Sequence, residues 1–302
     1  MLKEIFYWLF NMSIVATLTG MIVLLLCKIK KLPRRVTQTL WAIPMLRLLL
    51  PLGIGSKYSL MSLISKYTTK TVVVYEGSLT YTMSNSIMAA NTYFPITYKI
   101  NLLDHIFNIA SVVWLVTAVI IMILFIVLYR ATKKELRRAT HLRDNIYVSE
   151  RITSPVVYGV FKPRILLPIG FTDNNLEFIL LHERMHIRNN DNLWRIIAFT
   201  TTILHWFNPF AWLFLQRFLA ETELACDERV LSRCDEEEKK AYALVLVDCA
   251  ESKNIFASAF GGARIKIRIE RILSYKKISF ISAIFFVALA VAIAYALLTN
   301  AL

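Results

Sequence analysis

His182, Glu183 and His186 stand in the order His-Glu-x-x-His. Two histidines four apart lie one turn apart on the same face of a helix. Their ring nitrogens can meet one Zn²⁺ at about 2.0–2.1 Å, and the adjacent glutamate reaches a water at the metal as general base. Only three positions of the pattern are specified, and chance produces it in on the order of one chain of this length in a hundred. A catalytic zinc takes three protein ligands and keeps a fourth position open. The third ligand is sought in the acidic helix Ala220 to Ser232, which carries Glu221, Glu223, Asp227 and Glu228. Glu223 and Asp227 are four apart and share a face, so one can ligate zinc while the other accepts the N–H of a ligand histidine and sets its tautomer. By spacing alone Glu221 and Glu228 compete, and a solvated acidic face is the plain alternative.

The elements that must position these residues are legible around them. Asn174 to Asn190 reads as a helix, capped by Asn174 or Asp173, with Leu176, Ile179, Leu180 and Ile187 forming its apolar side. Between the two acidic or histidine-bearing helices, Ile196 to Gln216 has no formal charge and is long enough for a membrane span. A single crossing there would put the two halves of the site on opposite sides of a membrane. The turn residues Asn208-Pro209 suggest instead two shorter helices, re-entrant at the cytoplasmic leaflet or buried in a domain. Upstream, Thr153 to Pro168 breaks into short β-favouring pieces at Gly159 and Pro163. Arg164, Ile165, Leu166 and Leu167 then form either an edge strand that binds an extended peptide by β-augmentation or a core strand.

The chain as a whole has 302 residues, 57% apolar and 19% charged, with a mean hydropathy of +0.53. Disordered and fibrous classes are excluded, and a membrane protein is indicated. The net charge of +14 is placed by its distribution. Ile5 to Cys27 is uncharged and reads as a retained transmembrane anchor rather than a cleaved signal peptide. Lys28, Lys30, Lys31, Arg34 and Arg35 follow and hold a short loop in the cytoplasm. Val36 to Leu52 returns across, with Arg47 as either a functional charge or a contact to a neighbouring helix. Residues 53–104 form an external segment with a β-favouring run at Thr71 to Tyr75. Ile106 to Tyr129 re-enters the cytoplasm ahead of Arg130, Lys133, Lys134, Arg137 and Arg138, and Ile278 to Leu298 exits after a second basic run. The expected fold is a mainly α membrane protein with four transmembrane helices, both termini external. Its divisions are 1–52 (two helices), 53–104 (external), 105–129 (third helix), 130–277 (cytoplasmic domain) and 278–302 (fourth helix and tail). Basic clusters at membrane faces point to lipid and topology rather than nucleic acid. Cys27, Cys226, Cys234 and Cys249 form no CxxC pair and read as reduced thiols, with Cys226 packing rather than ligating; His205 reads as a buried or membrane-surface histidine.

In order, SPVVYGVFKPRILLP, LLHERMHIRNND, LHWFNPFAWL, ETELACDERVL and the basic ARIKIRIERIL before a last span resemble the BlaR/MecR family of membrane zinc metallopeptidases over nearly the whole chain. The resemblance implies a gluzincin-like α+β cytoplasmic domain, His182, His186 and Glu223 as Zn²⁺ ligands, and Glu183 as catalytic base. Asp227 then accepts the N–H of a ligand histidine and orients it, with Asp191 the weaker candidate for that role. It also implies a bacterial cell-membrane location, a cytoplasmic transcriptional repressor as protein substrate, self-cleavage near Ser258 to Arg264, and a homodimer. The family's external penicillin-binding domain, with its SxxK nucleophile, has no counterpart after Leu298, so the transducer and protease half is what the sequence matches. Two other readings compete: a quality-control protease of the HtpX or Ste24 type, and a non-catalytic membrane transducer or channel subunit.

Overall fold

The computed structural model describes residues 1–28, 32–50, 55–59, 62, 102–136, 139–152, 154–169, 173–251, 265–275 and 279–299. The run Thr71 to Tyr75, most of 53–104, and Ser258 to Arg264 lie outside the described residues, as do the side chains of Asp173 and Asn174. The described chain is mostly helical with one small sheet, and it divides into two compact units.

The first unit comprises Met1–Met122, Thr200–Leu215 and Phe280–Leu302. Three described helices are long and apolar enough to cross a membrane: α1 (Leu2–Leu26), the His105–Lys133 part of α3 (Leu102–Leu136), and Ile281–Leu298 within α9 (Phe280–Leu298). Between the first two, α2 (Arg34–Leu49) has 16 residues, about 24 Å of helix, which is shorter than a bilayer core. Arg47 on α2 is buried and donates through Nη1 to the carbonyl of Leu298 at 2.7 Å. The charge is thus a contact to the C-terminal end of a neighbouring helix, where it meets the negative end of the backbone dipole. Gly20 allows close packing of α1: a Cβ built there would fall 1.9 Å from Cζ of Phe214. The uncharged stretch after Ile196 does not form one helix, since α5 (Asp191–Leu204) ends and α6 (Pro209–Leu231) begins across a turn at His205 to Asn208. Asn208 caps α6 by accepting from Phe210 N at 2.9 Å, and Pro209 takes the first helical position, where no N–H is needed. His205 is buried, with Nε2 bonded to Leu48 O and Nδ1 to Ser13 Oγ, so both nitrogens are spent on packing.

The second unit comprises Ile123–Phe199 and Gln216–Ser279. Its sheet holds β1 (Thr140–Arg143), β2 (Ile146–Ser149), β3 (Val156–Tyr158) and β4 (Arg164–Pro168) in the order β1-β2-β4-β3. The β2–β4 pairing is parallel and the other two are antiparallel. This corrects the edge-strand alternative for Arg164, Ile165, Leu166 and Leu167: β4 is interior, hydrogen-bonded on both sides, and its residues after Arg164 are buried. No edge remains on β4 for a peptide to join, and the edge beside it is β3. The β1–β2 hairpin has no counterpart in the sequence reading, because His141, Arg143, Asp144 and Asn145 mask its alternation. Ile146, Val157, Ile165 and Leu167 form one face of the sheet and pack on Ile179 and Leu180 of α4 (Asp173–Arg188) and Val245 of α7 (Glu236–Glu251). The other side of α4, at Met185, joins a second cluster with Cys226, Val230 and Leu231 of α6, Tyr242 and Leu246 of α7, and Ile272 of α8 (Ile265–Leu273). Asp235 caps α7 through the N–H groups of Glu237 and Glu238, and Glu238 returns a bond from Asp235 N.

Gly159 ends β3 at φ +94°, where a Cβ would meet Lys162 O at 2.8 Å. A side chain is strained there twice, by the left-handed backbone and by the contact. Gly159→Ala is expected to lower stability by about 1–2 kcal/mol, read as a lower denaturation midpoint of the detergent-solubilised chain.

Candidate metal centre

The centre is built where α4, α5, α6 and α7 of the second unit meet. His182, Glu183 and His186 lie on α4 and are buried. The imidazole Nε2 atoms of His182 and His186 are 3.1 Å apart. Each Nδ1 is occupied on the far side of its ring. His186 Nδ1 meets Asp191 Oδ2 at 2.6 Å, and a carboxylate can only accept, so His186 donates. His182 Nδ1 lies 2.8 Å from the Tyr242 hydroxyl, whose own proton goes to Asp227 Oδ1 at 2.7 Å, so His182 donates here too. In the neutral rings both Nε2 atoms are then left with lone pairs directed into the same space. That is the tautomer of a metal-ligating histidine.

Chain geometry explains how Asp191 reaches His186. After α4, Asn189 folds back onto Met185 O through both its N–H and its side-chain amide, and Asn190 takes a left-handed φ of 55°. Asparagine tolerates that conformation, and it closes the helix within two residues. Asp191, five positions from His186, is thereby turned onto the ring as the first residue of α5.

Glu223 enters from α6. Its Oε1 is 3.7 Å from His186 Nε2 and its Oε2 is 3.7 Å from His182 Nε2. Two donors in tetrahedral array at the usual zinc distances stand about 3.3 Å apart; the two Nε2 atoms at 3.1 Å match that spacing, and each has a different Glu223 oxygen at 3.7 Å. Cys226, three residues on, also comes near, its Sγ within 4.8 Å of the ligand nitrogens. That sulfur already contacts the His182 carbonyl at 3.5 Å and is enclosed in the apolar cluster.

The surroundings favour positive charge between the donors. Burial alone would raise the Glu223 carboxyl, yet it is held well below the usual carboxylate range by His186, by its bond to His182, and by Arg195 and Arg268. Arg195 Nη2 donates to Glu223 Oε1 at 2.6 Å. Burial alone would lower His186, yet Cys226, Glu223 and Asp191 raise it well above the ordinary histidine range. Arg268 of α8 closes the network with a two-pronged bond to Asp227, Nε to Oδ2 and Nη2 to Oδ1, both 2.7 Å.

The candidates from the sequence are therefore distributed as follows. His182, His186 and Glu223 converge. Asp191 bonds directly to a ligand candidate, while Asp227 lies 3.4 Å from His182 Nδ1 and acts on it through Tyr242. Tyr242, Arg195 and Arg268 were not anticipated. Tyr242 lies in an ordinary amphipathic helix, 60 positions from His182, and nothing in local spacing marks it.

An HExxH helix with converging imidazoles beside a carboxylate, in a chain with apolar helices of membrane-spanning length, has the donor arrangement of the membrane metallopeptidase class. The chain belongs to the BlaR1 peptidase M56 family, whose model matches residues 7–273. It is 29% identical over 162 residues to the regulatory protein BlaR1 of Bacillus licheniformis, covering 50% of this chain and 27% of that protein. To the regulatory protein BlaR1 of Staphylococcus aureus it is 26% identical over 202 residues, 58% of this chain and 34% of the relative. The methicillin resistance mecR1 protein of Staphylococcus epidermidis is 28% identical over 141 residues, 43% and 24% respectively. The chain thus spans about a quarter to a third of the length of the curated relatives it matches.

Proposed function

We propose that the chain is a membrane-embedded zinc endopeptidase of the BlaR/MecR type, which passes a signal across the bacterial cell membrane by cleaving a cytoplasmic transcriptional repressor and itself. The observation that carries this reading is the convergence of the His182 and His186 Nε2 lone pairs at 3.1 Å beside the Glu223 carboxylate. His182, His186 and Glu223 would hold Zn²⁺. Bound there, zinc would polarise the scissile carbonyl and acidify a water. Glu183 would serve as the general base, taking a proton from the attacking water and passing it to the leaving amine. Asp191 keeps His186 in its ligating tautomer, and the Tyr242–Asp227 relay does so for His182. An extended peptide lies along the outer edge of β3, next to α4.

The rest of the reading follows the family. Four spans, with α2 as the second, leave both termini external and 130–277 as a cytoplasmic, gluzincin-like domain. Lipids contact the apolar helices, and the protein works as a homodimer. The test joins metal content to cleavage of a co-expressed repressor from neighbouring genes. About one zinc per chain is expected, lost in Glu223→Ala, with cleavage abolished by a chelator and restored by added zinc. Wild-type protein that holds no zinc and cleaves nothing would leave a membrane transducer with a decayed centre, and cleavage undiminished without zinc would overturn the zinc mechanism.

A further inference from the structure

The outer edge of β3 is already occupied. Ile165 N donates to Asn145 O at 2.8 Å, so Ile165 turns its peptide groups toward β2. Val157, its antiparallel partner, must then turn its own away from β4. On that outer side Asn192 Nδ2 donates to Val157 O at 3.1 Å and to Gly159 O at 3.0 Å. Carbonyls two residues apart on one strand edge are what a pairing backbone reads, and here one carboxamide supplies both N–H groups. The side chain belongs to the α5 turn that serves the centre. Asp191 beside it holds His186, and Arg195, one turn on and on the same helix face, holds Glu223.

We propose that the Asn192 carboxamide stands in for substrate backbone on β3, and that an extended peptide reaches the centre by displacing it. The inference rests on the peptidase reading above. Its consequence is selectivity. Backbone pairing alone gains little, because each new hydrogen bond replaces an existing one, so a peptide must bring side-chain or metal contacts to enter.

Two probes separate this from the parent reading: acetohydroxamate, which engages only a metal, and an apolar tripeptidyl hydroxamate, which also offers a backbone. Their dissociation constants are measured by calorimetry on the zinc-loaded, detergent-solubilised full chain, as wild type, Asn192→Ala and the isosteric Asn192→Asp, which lacks the N–H₂. The readout is the ratio of the two constants, in which losses common to both probes cancel. Removing the competitor should raise the preference for the tripeptidyl probe about tenfold in both variants. Hydrogen exchange should show the Val157 N–H protected by that probe and not by acetohydroxamate. An unchanged or reduced preference makes Asn192 a brace for the strand and overturns the proposal. If the tripeptidyl probe binds no tighter than acetohydroxamate in all three proteins, the metal centre stands but β3 is not the path, and the proposal fails. If neither binds the wild type, the peptidase reading fails and takes this one with it.

Discussion

Glu183→Gln is expected to leave zinc binding intact and to lower cleavage by about 10²–10⁴-fold, the range removed with a general base. The separation of effects follows from the network. The ligand candidates are held by Asp191 on His186, by Tyr242 on His182, and by Arg195 and Arg268 around Glu223. Glu183 is buried on α4 and is in none of those bonds. Glutamine keeps its shape and volume and loses the negative charge and the basicity. Zinc analysis of the purified variant should therefore match the wild type while the repressor stays intact. Cleavage retained in this variant, with host proteases excluded, would remove Glu183 from the mechanism. Zinc lost along with cleavage would instead show that the carboxylate shapes the centre.

Asp227→Leu is expected to cost about 3–5 kcal/mol of stability. Asp227 and Arg268 are both almost fully buried and joined by two 2.7 Å bonds. Removing the carboxylate strands a guanidinium that the apolar cluster around Ile272 cannot solvate. A Glu223 oxygen at 3.6 Å from Arg268 keeps the loss toward the lower end. The double variant Asp227→Leu, Arg268→Met should recover most of it, since both charges then leave together. Denaturant titration of the wild type, the two single variants Asp227→Leu and Arg268→Met, and the double gives the coupling directly. A loss below about 1 kcal/mol for the single change would mean that water reaches the pair, as at surface ion pairs. The single variant should also weaken zinc binding roughly 10–100-fold, because Tyr242 loses the acceptor that orients its hydroxyl toward His182.

Much of the centre is legible in the sequence because helical periodicity is local. His182 and His186 share a face by their spacing, and so do Glu223 and Asp227, whatever the rest of the chain does. Asn208-Pro209 likewise breaks the uncharged stretch through its own backbone chemistry. Residues 53–104 were read only as an external segment, and most of them lie outside the described residues.

Long-range partners were not legible. Whether Arg164 to Leu167 lies at an edge or in the interior depends on which strands pair with it, and pairing is set by residues elsewhere in the chain. The sequence ranked Asp227 above Asp191 as the partner of a ligand histidine. The fold instead turns Asp191 directly onto His186 through the left-handed Asn190, and interposes Tyr242 between Asp227 and His182. Sequence by itself determined the facing histidine pair, the apolar helices of spanning length and the acidic helix, because each is a matter of composition or of spacing within one element. Only the tertiary structure decided the tautomers, the interior place of β4 and the Asn192 bonds to β3, because each depends on atoms that meet from separate elements at hydrogen-bond distance.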